Sequence, residues 1–337
     1  MRTEFHTIGL DHPVYLIAEI GLNHNGSEEL ALKMVEASAR SGASCAKFQL
    51  FDSKFFINRK ARLGNNPPGS LQEFFSQFEL PEESWTRIVQ ACKKNGLDFL
   101  CSVFDEPSLD LYMTLGNFPV KIASTDLTCR PLLESVLRRK LSMYLSTGAA
   151  NEEEVERTIQ WIGTPALLLQ CVSSYPARAE DYNLRVLPLW QKKYNCLTGI
   201  SDHCTELDVS LQMPALGGVA IERHFTLDRS MEGPDHKLSS TPEDFASLRK
   251  RLDVLKTAMG DGLKKCMPSE EPVRAGGRRS VYYRNDLPAG HTLAESDLIV
   301  MRPAEEIPAE RLPELEGRDL LKGVGTADPV RSSDIRW

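Results

Sequence analysis

Two histidines carry the clearest chemical signal in the chain. His203 closes Gly199-Ile200-Ser201-Asp202-His203, and His224 closes Ile221-Glu222-Arg223-His224, 21 residues later. Both stand where an apolar run breaks into polar residues. On neighbouring strands, about 4.8 Å apart, two imidazoles can meet over one ion. Side chains alternate along a strand, so Glu222 and His224 share a face and Arg223 points the other way. Imidazoles with nearby carboxylates and water suit manganese, iron, cobalt or zinc. Lys47 and Lys121 also interrupt apolar runs, where an unpaired ammonium is costly. A phosphate or carboxylate would satisfy them. Ser124, Ser146 and Thr147, with Gly148, add the hydroxyl and backbone donors that ring such a group. Metal ligands beside an anion clamp point to an acidic or phosphorylated substrate reacting with a polarised carbonyl.

The elements that position these residues form a regular series. Short apolar runs predict strands at Val14–Glu19, Cys45–Gln49, Leu97–Ser102, Val120–Ala123, Ser142–Ser146, Ala166–Gln170, Leu197–Ser201 and Gly218–Glu222. Amphipathic stretches lie between them. Ser27–Arg40 has an apolar face and a capping serine; Pro81–Asn95 stops at Gly96; Asn151–Ile162 opens with a cap and three acidic residues. Eight strands alternating with helices predict a parallel sheet closed into a (β/α)8 TIM barrel. An open doubly wound sheet is the rival. It would favour a glycine-rich phosphate turn after the first strand, and Glu19-Ile20-Gly21-Leu22-Asn23-His24-Asn25-Gly26 is not one. In a barrel, chemistry gathers at the C-terminal strand ends, where Glu19, Lys47, Gln49, Ser102, Lys121, Ser146, Gln170, Ser201 and Glu222 all fall.

One connection is too long for this series. Asp52 to Leu80 contains the turn-rich Asn65–Ser70 and three phenylalanines, Phe74, Phe75 and Phe78, and is expected to be a partly ordered lid. After Gly262 the rhythm ends. Residues 263–279, with Pro268, Pro272, Gly276 and Gly277, read as a linker, and 280–337 as a small domain with little helix. The catalytic domain is expected over 1–262.

The 337 residues are 41% hydrophobic and 26% charged, with a net charge of -7. These values fit a globular enzyme and argue against a dedicated nucleic-acid binder. No apolar run approaches the ~20 residues of a membrane span, and Met1–Pro13 has no signal-like core, so a cytoplasmic location is expected. The eight cysteines form no C-x-x-C pair and are expected as reduced, mostly buried thiols.

The ordered motifs resemble the sialic acid synthase family. They are Ile17-Ala18-Glu19-Ile20-Gly21-Leu22-Asn23-His24-Asn25-Gly26, Lys47-Phe48-Gln49, Lys121-Ile122-Ala123-Ser124 and Leu145-Ser146-Thr147-Gly148. Gly199–His203, Glu222–Thr226 and Gly233-Pro234-Asp235-His236 follow. The tail is similar to the family's antifreeze-like (SAF) domain through Leu287–His291 and Ile299–Pro303. The resemblance implies condensation of phosphoenolpyruvate with an N-acetylmannosamine-like amino sugar, giving a nonulosonic (sialic) acid and phosphate. The alternatives are the same condensation on a legionaminic-type diacetamido sugar or a 6-phosphorylated amino sugar, or a metal-dependent aldolase.

The resemblance also implies roles. His203 and His224 would hold a divalent metal, manganese first, with magnesium or cobalt as substitutes. Lys47, Lys121, Ser124, Ser146 and Ser201 would bind phosphoenolpyruvate. Gln49, Tyr175 and Asp235 would contact the sugar, with Arg302 entering from the partner of a domain-swapped homodimer. Glu19 would lie at the reacting centre, with Glu222 as a second catalytic carboxylate. Two positions depart from the family pattern. Val103 replaces a threonine after the third strand, which predicts that the site lacks one hydroxyl. Ser173 replaces an asparagine before Tyr175-Pro176.

Overall fold

A computed structural model describes residues 1–62 and 70–337. Eight parallel strands, β1 (Tyr15–Gly21), β2 (Cys45–Leu50), β3 (Asp98–Val103), β4 (Val120–Ile122), β5 (Met143–Ser146), β6 (Leu167–Cys171), β7 (Leu197–Asp202) and β8 (Ala220–His224), pair in chain order. β8 then pairs with β1 and closes the barrel. The expected TIM barrel is therefore the fold, and the open sheet is excluded. The last strand runs further than its apolar residues alone suggest. His224 sits inside the ladder, opposite Glu19, because closure gives its backbone a partner.

The alternation of side chains produces two separate apolar layers. Leu16, Ala18 and Ile20 of β1 face outward into the large layer between strands and helices. Tyr15 and Ile17 face inward with Cys45, Leu100, Tyr144, Leu167, Leu169 and Ala220, filling the lower barrel. Continuing the same alternation upward puts Glu19, Lys47, Lys121, Ser146, Ser201 and Glu222 on the inner face. The bottom is closed by the N-terminal segment. Ile8 is fully buried against the inner layer, and Tyr15 donates its hydroxyl proton to Asp98 at 2.8 Å.

The predicted helices form with their predicted caps. Ser27 accepts from the Leu30 amide ahead of Glu28–Arg40. Asn151 and Glu154 form a capping box at Glu152–Ile162, where three acidic residues face the positive end of the dipole. In the long connection, helices Ser53–Phe56 and Leu71–Ser76 appear, the second capped by Ser70. Phe74, Phe75 and Phe78 join Leu22, Phe51, Phe56 and Phe104 in one aromatic cluster. The Asn65–Gly69 part of the expected lid lies outside the described residues.

The chain divides into two compact units, Met1–Gly260 and Asp261–Trp337. The second has its own core, with Val281, Tyr283, Leu293, Leu298, Ile307, Leu315 and Val330 around antiparallel strands β9 (Ser280–Tyr283) and β10 (Leu298–Met301). The stretch read as a linker is more ordered than expected. It contains helix Glu271–Gly277, with Pro272 in the first turn, where a missing N–H costs nothing. All eight cysteines are free thiols, and five of them are buried. No helix among the described residues is long and apolar enough to cross a membrane.

Candidate active site

A buried ionic network fills the C-terminal mouth of the barrel. Lys47 Nζ lies 2.7 Å from Glu19 Oε2 and 3.7 Å from Glu222 Oε1. Lys121 Nζ is also 3.7 Å from Glu222 Oε1. Ser201 donates to Glu222 at 3.0 Å, and Gln49 donates its amide to Glu19 at 3.1 Å. These contacts follow from register: Glu19 pairs with Lys47, and Ser201 with Glu222. Burial alone would push the Glu222 carboxyl up, but Lys121, Lys47 and the Ser201 hydroxyl hold it below the usual range. Burial opposes the charge on Lys47, yet Glu19 and Glu222 raise it. For Lys121 burial wins, and its affinity for a proton falls.

Lys121 has few partners for its three donors. They reach only the Ile122 carbonyl at 3.3 Å, besides the distant Glu222. Ser146 Oγ is buried without a hydrogen-bond partner. Nearby, the Gly148 amide donates to Ser124 Oγ at 3.0 Å. A side chain on Gly148 would collide with Ser173 Oγ and come within 2.9 Å of Ser124 Oγ and 3.0 Å of Cys171 Sγ. An ammonium, an unpartnered hydroxyl and close-approaching backbone are what an incoming anion requires.

His203 and His224 face each other with ring centroids 5.4 Å apart. His203 Nδ1 is 2.7 Å from the Val172 carbonyl, so this nitrogen carries a proton and Nε2 is left as the candidate ligating atom; burial opposes the charged ring, but Cys171 and the Val172 carbonyl raise its pKa. His224 Nδ1 is buried without a hydrogen-bond partner, 3.7 Å from Asp235 Oδ2. Burial lowers the His224 pKa, which favours the neutral, ligating form. The pair suits a divalent cation. Among the described residues no group of three His, Cys, Asp or Glu is gathered for a metal. Tyr175 stacks on His203 at 4.2 Å and is half exposed at the mouth.

Several residues behave differently from expectation. Gln170 turns away from the mouth and donates to the Tyr182 carbonyl at 2.7 Å. Asp202 also faces outward, ion-paired with Arg223, whose guanidinium further reaches the Cys204 carbonyl at 2.6 Å. The predicted opposite facing of Glu222 and Arg223 is thus observed. Val103 is fully buried among the helices outside the barrel, so the missing hydroxyl takes no donor from the site. Cys171, overlooked among the buried thiols, projects inward 3.9 Å from His203 Nδ1. Its signal was positional: two residues past inward-facing Leu169. Arg302 lies exposed in the second unit beyond β10, on a groove of about 610 Å³ with Lys264, Lys265, Arg274 and Arg278.

His24 is fully buried behind Glu19, and burial lowers its pKa to about 4. Neutral His24 therefore supports folding fully above the unfolded value near 6.5. As pH falls from there through 4, about 3 kcal/mol of stability is lost. The unfolding free energy of His24→Gln, measured by denaturant titration, should fall less over this window than that of the wild type; equal slopes would remove His24 from the account.

The closed eight-stranded parallel barrel, with a buried ionic network and paired imidazoles at its C-terminal mouth, is of the TIM-barrel class. The chain belongs to the NeuB family, whose model matches residues 34–264, and a SAF domain matches residues 278–336. It is 33% identical over 320 residues to an N,N'-diacetyllegionaminic acid synthase of Legionella pneumophila, covering 91% of this chain and 90% of that one. It is 34% identical to the enzyme of the same name from Campylobacter jejuni, covering 94% and 98%. Among solved structures, an N-acetylneuraminic acid synthetase from Leptospira borgpetersenii in complex with citrate superimposes with TM-score 0.72 at 31% identity, covering 81% of this chain and 94% of that one. The relatives place the chain among nonulosonic acid synthases.

Proposed function

We propose that the barrel condenses phosphoenolpyruvate with an open-chain amino sugar of the N-acetylmannosamine type, adds water and releases phosphate. The observation that carries this is the under-satisfied Lys121 and Ser146 beside Glu19 and the imidazole pair. In this reading Lys47, Lys121, Ser124, Ser146 and Ser201 hold the phosphate and carboxylate of phosphoenolpyruvate. Gln49, Tyr175 and Asp235 bind the sugar. His203 and His224 hold a divalent cation, manganese first, which supplies Lewis-acid polarisation of the aldehyde oxygen. The reaction belongs to the transferases.

The chain's own residues account for the remaining steps. Carbon 3 of the enol attacks the aldehyde carbon, and positive charge develops at carbon 2. Glu19, buried and ion-paired with Lys47, stabilises that charge electrostatically. Water then adds to carbon 2; Glu19 or Glu222 takes one of its protons and passes it to the former aldehyde oxygen, and the other leaves with phosphate. The tetrahedral intermediate collapses to the 2-oxo acid, and the bond between carbon 2 and the bridging oxygen breaks. Lys121 and the hydroxyl rim receive the departing phosphate. A domain-swapped homodimer, with the partner's Arg302 against the sugar, completes the proposal, as does a cytoplasmic location.

The test is a panel of aldoses with phosphoenolpyruvate and manganese, read by phosphate release. N-acetylmannosamine, its 6-phosphate and 2,4-diacetamido-2,4,6-trideoxyhexoses form the panel. Phosphate is expected only with an aldose present, and the preferred sugar fixes the acceptor. No release with any of them would overturn the reading.

A further inference from the structure

Asp235 is carried by the loop between β8 and helix Pro242–Met259, which contains only the short 3-10 turn His236–Leu238. A carboxylate on so long a connection has many positions open to it, and fixing it has an entropic cost. Yet it stands 3.7 Å from His224. The restraint comes from the turn that follows β1. Asn23 is fully buried, and its amide donates to the Phe225 carbonyl and to Ser239 Oγ, both at 2.9 Å. Ser239 passes its own proton to the carbonyl of Asp235 at 2.6 Å.

A second chain runs through His236. The Asn25 amide donates to the Glu232 carbonyl at 2.8 Å and lies 3.2 Å from His236 Nε2. His236 Nδ1 lies 2.7 Å from Thr226 Oγ1. The Thr226 hydroxyl gives its proton to the Asp228 carbonyl at 3.0 Å, so its oxygen accepts from His236 Nδ1–H. Nε2 is then the acceptor for Asn25. Each donor along this chain has one acceptor, so the arrangement specifies a single ring tautomer. The loop is also drawn down tightly. Gly233 has φ +151°, and a Cβ there would come within 2.7 Å of His236 Cδ2 and 2.8 Å of Asn25 Oδ1.

We infer that Asn23, Asn25 and His236 form a latch that positions Asp235 for the acceptor sugar. The inference rests on the reading of Asp235 as a sugar contact. All three are positioning residues: the Asn23 and Asn25 amide nitrogens and both His236 ring nitrogens are engaged by the loop.

The test uses Asn25→Ala, His236→Ala and the conservative His236→Gln, whose amide can donate to Thr226 and accept from Asn25. The two alanine variants should raise the aldose KM by about tenfold or more while the phosphoenolpyruvate KM moves less than about twofold. His236→Gln should recover most of the loss. Amide hydrogen exchange across residues 226–240 should accelerate in the alanine variants and stay near wild type in His236→Gln. Unchanged exchange, or an equal rise in both KM values, overturns the latch. If wild type turns over no aldose, the functional reading has failed instead, and the exchange measurement alone decides whether the latch exists.

Discussion

Glu19→Gln is expected to lower turnover about a hundred- to thousandfold while leaving metal content nearly intact. Glu19 is buried, and its two oxygens are engaged by Lys47 at 2.7 Å and by Gln49 at 3.1 Å. The amide keeps the shape and can still accept from Gln49. It cannot keep the charge. Lys47 then faces only Glu222, at 3.7 Å. The positive charge that develops at carbon 2 loses its nearest fixed counter-charge, and the added water loses one proton acceptor. The loss should fall on kcat rather than on the phosphoenolpyruvate KM, because Lys121, Ser124, Ser146 and Ser201 remain in place. Wild-type turnover in this variant would end the role assigned to Glu19.

The second large effect concerns the imidazole pair. His203→Ala and His224→Ala should each weaken divalent-metal binding at least about a hundredfold, since even the groups that orient a ligand contribute ten- to a hundredfold. Asp235, 3.7 Å from His224, and Cys171, 3.9 Å from His203, stand beside the pair, so metal content in each single-histidine variant reads that imidazole's own share. Metal content after dialysis measures this without reference to activity. Unchanged content in either variant would refute ligation by that histidine.

The fold was legible because its signal repeats. Eight apolar runs between amphipathic segments define a closed parallel barrel, and side-chain alternation then assigns Lys47, Lys121, Ser201, Glu222 and His224 to one face. The same rule turns Arg223 to the other face, where it pairs with Asp202. The rule also corrects the reading of Val103, which follows inward-facing Ser102 and so packs against helices.

What escaped the sequence depends on contacts between distant segments. Asn23 meets Ser239 across 216 residues, and Asn25 meets His236 across 211. Neither pairing has a local signature. The prolines of residues 263–279 suggested a linker because proline breaks helices; Pro272 instead opens one. The crowding around Gly148 needs three elements in place before a glycine becomes obligatory.

In the proposed reaction phosphate leaves phosphoenolpyruvate by cleavage of its carbon–oxygen bond during condensation with an aldose. The direct measurement uses phosphoenolpyruvate carrying heavy oxygen at the bridging position, with manganese and the preferred aldose, followed by mass analysis of the released phosphate. The account predicts that the label appears in the phosphate, and that omitting the aldose abolishes release. Label retained in the organic product, or release of phosphate without an aldose, would contradict it.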